Sequence, residues 1–283
     1  MAAIALVTAS AASLPVEILD RYQIHLIPFV VQFVDGNYRE DGDMPLADFY
    51  QRLEAADVVP STAPTSVAQF IQYFERQHPE AETIVVFHVG AQSSKAYENA
   101  LQAAARVPSR RIVNIDTHSF SMGAGLQIIE AAKAFEAGAS VEAVLELIKE
   151  LAPRTLALFA PPSVRYLRMS GRVGRVPALA ASLMGIQPIL GLNPDGKMDV
   201  LARSRSAEAA RDTMIERLAE FLGAKRPCSL AVIHTNAEAD GREFQKQLER
   251  LYPGVPVYLN DAGPILAVHA GPGTVGLAAL RDE

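Results

Sequence analysis

Short apolar runs alternate with segments of helical period through the first half of the chain. Ile4-Ala-Leu-Val7, Thr83-Ile-Val-Val-Phe-His-Val89 and Arg111-Ile-Val-Asn-Ile115 are compact runs bounded by polar residues, the pattern of buried strands. Ile24 to Phe33 reads as a further strand, with Pro28 marking an edge or a bulge. Helices are expected after Pro15 (Ile18, Leu19, Tyr22), around Phe49, Tyr50 and Leu53, after an N-cap at Ser66 (Phe70, Ile71, Phe74), and from Tyr97 to Ala105. A helix with Leu126, Ile128, Ile129 and Phe135 ends at Gly138, and Ser140 caps the next, which runs through Leu151. Asp35 to Asp43 and Val59 to Ser66 read as loops. This β-α alternation predicts a parallel sheet with helices on both faces. Ligands of such sheets bind outside the carboxyl ends of the strands. The Ser- and Thr-rich loops that start at Ala9, Gly90 and Asp116 lie there, and their hydroxyls suit an anion.

From Thr155 the rhythm changes. Leu156 to Phe159 is strand-like, Pro161-Pro162 leads into an arginine-rich stretch, and Leu179 to Met184 reads as an apolar helix. Gln187 to Leu192, Asn193-Pro-Asp-Gly196 and Met198 to Leu201 predict strand, turn and strand. Ser206 caps an amphipathic helix with Met214, Ile215, Leu218, Phe221 and Leu222. Strand Leu230 to Ile233 ends at His234, and Val255 to Leu259 is another strand. The pattern predicts two α/β domains, residues 1–155 around a parallel sheet and 156–283 around a mixed sheet.

The stretch that organises the rest is Pro264-Ile-Leu-Ala-Val268 followed by His269-Ala-Gly-Pro-Gly-Thr-Val-Gly276. The apolar run reads as a buried strand that breaks into a tight turn, with His269 at the strand end. Gly271 and Gly273 would let main-chain N–H groups approach a ligand, and Pro272 would hold the bend. The turn is expected to form one wall of a site for an anion-ended ligand. Gly271-x-Gly273-x-x-Gly276 matches the dinucleotide fingerprint by letter. Too few residues follow it for the helix, second strand and acidic partner that fingerprint needs, so no nicotinamide or flavin site is expected.

Composition narrows the class. Half of the 283 residues are apolar and a fifth charged, as in a globular protein with a sizeable core. The single cysteine, Cys228, excludes an internal disulfide and suits a cytoplasmic location. No apolar run approaches the ~18 residues of a transmembrane helix, and the apolar start lacks the basic flank of a signal peptide. The net charge of −6 hides an asymmetry. Arg154 to Arg226 holds twelve Lys and Arg against six acids; the rest of the chain holds fourteen against twenty-six. Arg165, Arg168, Arg172 and Arg175 form an acid-free stripe, which suits a specific anionic partner rather than nucleic acid.

Motifs for catalysis are missing. The six histidines show no metal-ligand spacing, and no nucleophile elbow or phosphate-binding loop occurs. Neither a catalytic residue, a metal nor a cofactor is therefore expected; the polar groups suit holding an anion better than transforming it.

Several segments in order resemble the DegV family of lipid-binding proteins, bacterial fatty-acid binders that serve a fatty acid kinase. They are Val7-Thr-Ala-Ser-Ala-Ala-Ser-Leu-Pro15, Ser61-Thr-Ala-Pro64, Ser94-Lys-Ala-Tyr97, Ile115 to Leu126, Tyr166 to Arg172, Ile186 to Leu190, Arg203, and Val268-His-Ala-Gly-Pro-Gly273. The resemblance covers nearly the whole chain. It implies a three-layer α/β/α domain and a two-layer α/β domain with an acyl chain buried between them. It places the carboxylate near Ser94, Thr62 and His269, with Ser61 close, and Arg172 and Arg203 where a kinase docks. Two departures stand out: Ala9 replaces the family's Asp, and Lys95-Ala96 replaces Gly-Thr after the binding serine, which makes Lys95 a further candidate for the carboxylate. The leading expectation is a non-catalytic carrier that binds a long-chain fatty acid and presents it to a separate kinase. The alternatives are an enzyme acting on a small anion with His269 as acid or base, and a regulatory protein whose arginines bind an anionic partner.

Overall fold

The computed structural model describes residues 4–27, 29–39, 43–92, 94–170, 186–193 and 195–283. In chain order the first half runs β1 (Ile4–Ala9), α1 (Val16–Tyr22), β2 (Ile24–Ile27), β3 (Val30–Phe33), β4 (Gly36–Arg39), α2 (Leu46–Ala55), β5 (Ser61–Ala63), α3 (Val67–Arg76), β6 (Thr83–His88), α4 (Ala96–Ala104) and β7 (Arg111–Asp116). Two helices follow, α5 (Ser121–Glu136) and α6 (Val141–Leu151). The second half runs β8 (Thr155–Ala160), α7 (Arg165–Ser170), β9 (Gln187–Leu192), β10 (Met198–Ser204), α8 (Ala207–Leu222), β11 (Pro227–His234), α9 (Glu238–Leu251), β12 (Val257–Asp261), α10 (Gly263–Ala270) and β13 (Val275–Arg281).

Three sheets result. A parallel sheet has the order β2-β1-β6-β7, and a mixed six-stranded sheet the order β10-β9-β8-β13-β11-β12. A small antiparallel sheet, β4-β3-β5, stands apart from both. The fold is thus α/β with one parallel and one mixed sheet, as the alternation and the later hairpin predict.

Strand alternation explains the layering. Val7, Ile84 and Val86 point to one face of the parallel sheet, where Phe70 and Phe74 of α3 and Ala96, Ala100 and Ala103 of α4 cover them. Leu6, Val85 and Phe87 point to the other face, into a core shared with α5 and α6. The same core takes Ala231, Ile233, Ala278 and Leu280 from the six-stranded sheet. The opposite face of that sheet packs Leu158, Leu230, Val232 and Leu277 against Met214 and Leu218 of α8 and Phe244 and Leu248 of α9. Helix α5 therefore lies between two sheets, and it is buried almost all round from Ser121 to Ala132. A Cβ at Gly123 would stand 2.9 Å from Ala157 Cβ, and one at Gly125 2.9 Å from Ala12 O, so both positions let α5 approach its neighbours closely.

Local signals hold where side chains cap helices. Ser66 closes a capping box with Gln69, and Ser140 and Ser206 accept from the third residue of their helices. Four readings change. The stretch from Ile24 to Phe33 is two strands in different sheets, and the loops at Asp35–Asp43 and Val59–Ser66 contain β4 and β5. These short strands exist through pairing with β3, a partner that local composition does not reveal. Pro264–Val268 is not a strand but the body of α10, which has a proline in its first turn. The expected helix at Leu179–Met184, together with Arg172 and Arg175, lies outside the described residues.

Candidate functional site

A cavity of about 1000 Å³ opens where the carboxyl ends of β1 and β6 face α10 and the six-stranded sheet. Its size is at the upper end for small-molecule sites. Helix α10 supplies Ile265, Leu266, His269 and Ala270 and, just ahead of it, its cap residue Ala262, a stripe at helical spacing that runs along the wall. Phe29, Val89, Phe120, Phe159 and Leu167 add apolar surface from other elements.

Polar groups edge this apolar interior. Thr62 Oγ1 lies 2.9 Å from His269 Nε2, which joins β5 to the last turn of α10, and both residues line the cavity. Ser94 also lines it, ahead of α4; its Oγ accepts from the Ala96 N–H at 3.1 Å and keeps its own proton to donate. Lys95 occupies the cap position of α4, exposed at the rim with Glu98 nearby in the lining. The structure therefore brings Ser94, Thr62, His269 and Lys95 to one cavity.

Ser61 faces elsewhere. Successive residues of a strand point to opposite faces, and Ser61 Oγ donates to Gln32 Oε1 at 3.1 Å, exposed and outside the cavity lining.

The glycine turn acts differently from the expectation. It joins a helix to a strand, and its N–H groups bind within the protein: Gly271 to Ala267 O at 2.8 Å and Gly273 to Thr235 O at 2.6 Å. Gly271 O accepts from the hydroxyls of Thr235 and Thr274 at 2.6 and 2.9 Å. Both glycines have positive φ, and a Cβ at Gly271 would stand 2.3 Å from Tyr166 Cδ2. The turn shapes the wall and seats α7; it does not offer these two amides to a ligand.

Of the arginines, Arg165 reaches across to Ala56 O at 2.9 Å and lies over the Tyr166 ring, which ties α7 to the end of α2. Arg203 is exposed on the edge strand β10, and Arg172 is outside the described residues.

Sequence reading missed one feature of the cavity. His234 lines it, and its Nδ1 lies 3.4 Å from Asp261 Oδ2. Asp261 Oδ1 accepts from Tyr50 Oη at 2.6 Å and from the Gly263 N–H at 2.8 Å. Burial alone would raise the Asp261 pKa, but hydrogen bonds from His234, Tyr50 and the Gly263 and Asn236 amides hold it below the usual carboxylate range. Among the described residues no His, Cys, Asp or Glu cluster could hold a metal, and no helix is long and apolar enough to cross a membrane.

Fold and cavity together define an α/β protein whose two sheets enclose an apolar site edged by hydroxyls and imidazoles. The chain matches the DegV family, described as uncharacterised proteins, over residues 3–282, and it belongs to that family. It is 28% identical to a DegV domain-containing protein of Halalkalibacterium halodurans, with 98% of each chain covered. It is 26% identical to the protein DegV of Bacillus subtilis, covering 97% of this chain and 98% of the relative. Its fold superposes on a Thermus thermophilus DegV family protein described for its fatty acid binding, with TM-score 0.89, 25% identity and full coverage of both chains. A Thermotoga maritima structure described as revealing a fatty acid binding function gives TM-score 0.88 and 26% identity, again with full coverage of both.

Proposed function

We propose that the protein binds a long-chain fatty acid in this cavity, with the acyl chain along α10 and the carboxylate held by Ser94, Thr62 and His269. The observation that carries the reading is the apolar stripe of α10 ending at His269, against Thr62. Apolar length terminated by donors matches an amphiphile with one anionic end. The fatty acid binding described for the Thermus and Thermotoga relatives supports the same ligand class. The test is native mass spectrometry with lipid extraction of the purified protein. One fatty acid per chain is expected; a protein that neither carries nor takes up any fatty acid would sink the reading.

The wider role proposed is that of a non-catalytic carrier, which presents the carboxylate to a separate fatty acid kinase for acyl-phosphate formation. Arg203, exposed on its edge strand, and Arg172 are the residues proposed to meet that kinase. Arg203→Ala should leave fatty-acid affinity near that of the parent while acyl-phosphate formation by the added kinase falls. Loss of lipid binding with kinase coupling intact would reverse the assignment.

A further inference from the structure

Helix α10 measures the cavity. The Ala262 N–H binds His234 O at 2.7 Å, so the helix starts beside His234 and carries His269 in its last turn. At the helical rise, Ala262 and His269 are about 10 Å apart along the axis. The wall thus has two polar places: Thr62 with His269 at one end of α10, and His234 near the other.

His234 differs from the polar residues around it. The hydroxyls of Thr235 and Thr274 bind the carbonyls of Gly271 and Ala270, and Ser121 Oγ donates to Ser13 Oγ at 3.1 Å. The His234 ring is held by Asp261 at Nδ1 and by α9, where a Cβ on Gly241 would stand 2.9 Å from Cδ2. No hydrogen bond to its Nε2 is made among the described residues. Nδ1 accepts the Ala237 N–H at 3.4 Å and lies the same distance from the Asp261 carboxylate. Nε2, on the far side of the ring, keeps its own hydrogen-bonding capacity for the cavity. Its complement inside an apolar cavity is an alcohol, because a hydroxyl both donates and accepts and so pairs with Nε2 whichever ring nitrogen carries the proton.

We propose that His234 is a second polar contact for the ligand, and that the cavity accepts a long-chain fatty acid bearing a hydroxyl in the middle of its chain. This rests on the fatty-acid reading above. Asp261, itself fixed by Tyr50 and two main-chain amides, is the positioning residue beside the His234 ring.

The experiment compares the affinities of stearic acid and its mid-chain monohydroxylated counterpart for the full chain. The parent should bind the hydroxylated acid at least as tightly as stearic acid. In His234→Phe the hydroxylated acid should lose about three- to tenfold relative to stearic acid, and His234→Gln should restore most of that ratio. Because both acids are measured on the same variant, a general loss of folding leaves the ratio in place. If His234→Phe does not fold, Asp261→Asn takes its role, since the ring loses the charged neighbour that positions it and the ratio should fall there too. An unchanged ratio in the variant measured overturns the proposal. Failure of the parent to bind either acid overturns the fatty-acid reading itself, and this inference with it.

Discussion

Thr62 Oγ1 and His269 Nε2 stand 2.9 Å apart, and the contact ties the small antiparallel sheet to the C-terminal turn of α10. Thr62 reaches this place because β5 pairs with β3, Val31 opposite Thr62, which turns Thr62 towards α10 and Ser61 away. The pair forms a polar corner at the end of the apolar stripe of α10.

Removing donors from that corner should cost affinity. Hydrogen bonds to a charged group are worth roughly 1.5–3 kcal/mol each, about ten- to a hundredfold in binding. His269→Ala and Ser94→Ala are each expected to weaken long-chain fatty acid binding by such factors. Ser61→Ala, whose hydroxyl faces Gln32, should change it far less. A fluorescent fatty-acid displacement titration distinguishes the three, and equal losses would show that strand orientation does not decide the site.

Lys95 should act at the rim. It is exposed, and charges in water interact weakly and are screened by salt. Lys95→Gly should weaken fatty-acid binding by a factor of a few at low ionic strength and leave it unchanged at high salt. A loss that persists at high salt would mean that the ammonium is buried against the carboxylate once ligand is bound.

Much of the architecture is legible in the sequence because local signals and burial agree. The capping box at Ser66 and Gln69 precedes a helix whose Phe70 and Phe74 are buried. Helix α10 is not legible, for a physical reason. One of its faces lines the cavity while Ile265, Ala267 and Val268 are buried, so the segment is apolar all round and shows no period. A short run of that kind between Gly and Pro reads equally as a strand. The Tyr50–Asp261 bond joins residues 211 positions apart, and no spacing rule announces it. Ser94, Thr62 and His269 come together from three elements, and their common cavity is visible only in the fold.

Gly271 should tolerate no side chain. Its φ of +85° is unfavourable for other residues, and a Cβ would stand 2.3 Å from the Tyr166 ring. Gly271→Ala should destabilise the fold by about 2 kcal/mol or more, since strained backbone and overpacking each cost about 1–3 kcal/mol. Urea unfolding measures this directly. A variant as stable as the parent would mean that α7 moves away freely and does not depend on the turn.

His88 gives the fold a pH dependence with a definite sign. The ring is buried at the end of β6, packed edge-on to Phe70 and Tyr97, with Nε2 2.9 Å from Asn114 Oδ1. Burial pushes its pKa down; the Asn114 hydrogen bond and the nearby Asp116 charge oppose that shift without cancelling it. The folded protein therefore keeps His88 neutral where the unfolded chain, with an ordinary pKa of about 6.5, takes up a proton. Stability from this site is complete above that value and declines as pH falls through it towards the lower folded pKa. His78, also lowered chiefly by burial, contributes in the same direction. His88→Gln keeps a donor for Asn114 and removes the titration. Between about pH 7.5 and about pH 5.5, its unfolding free energy should fall less than that of the parent. Equal losses in the two proteins would mean that the buried ring takes up its proton in the folded state as readily as in the unfolded chain.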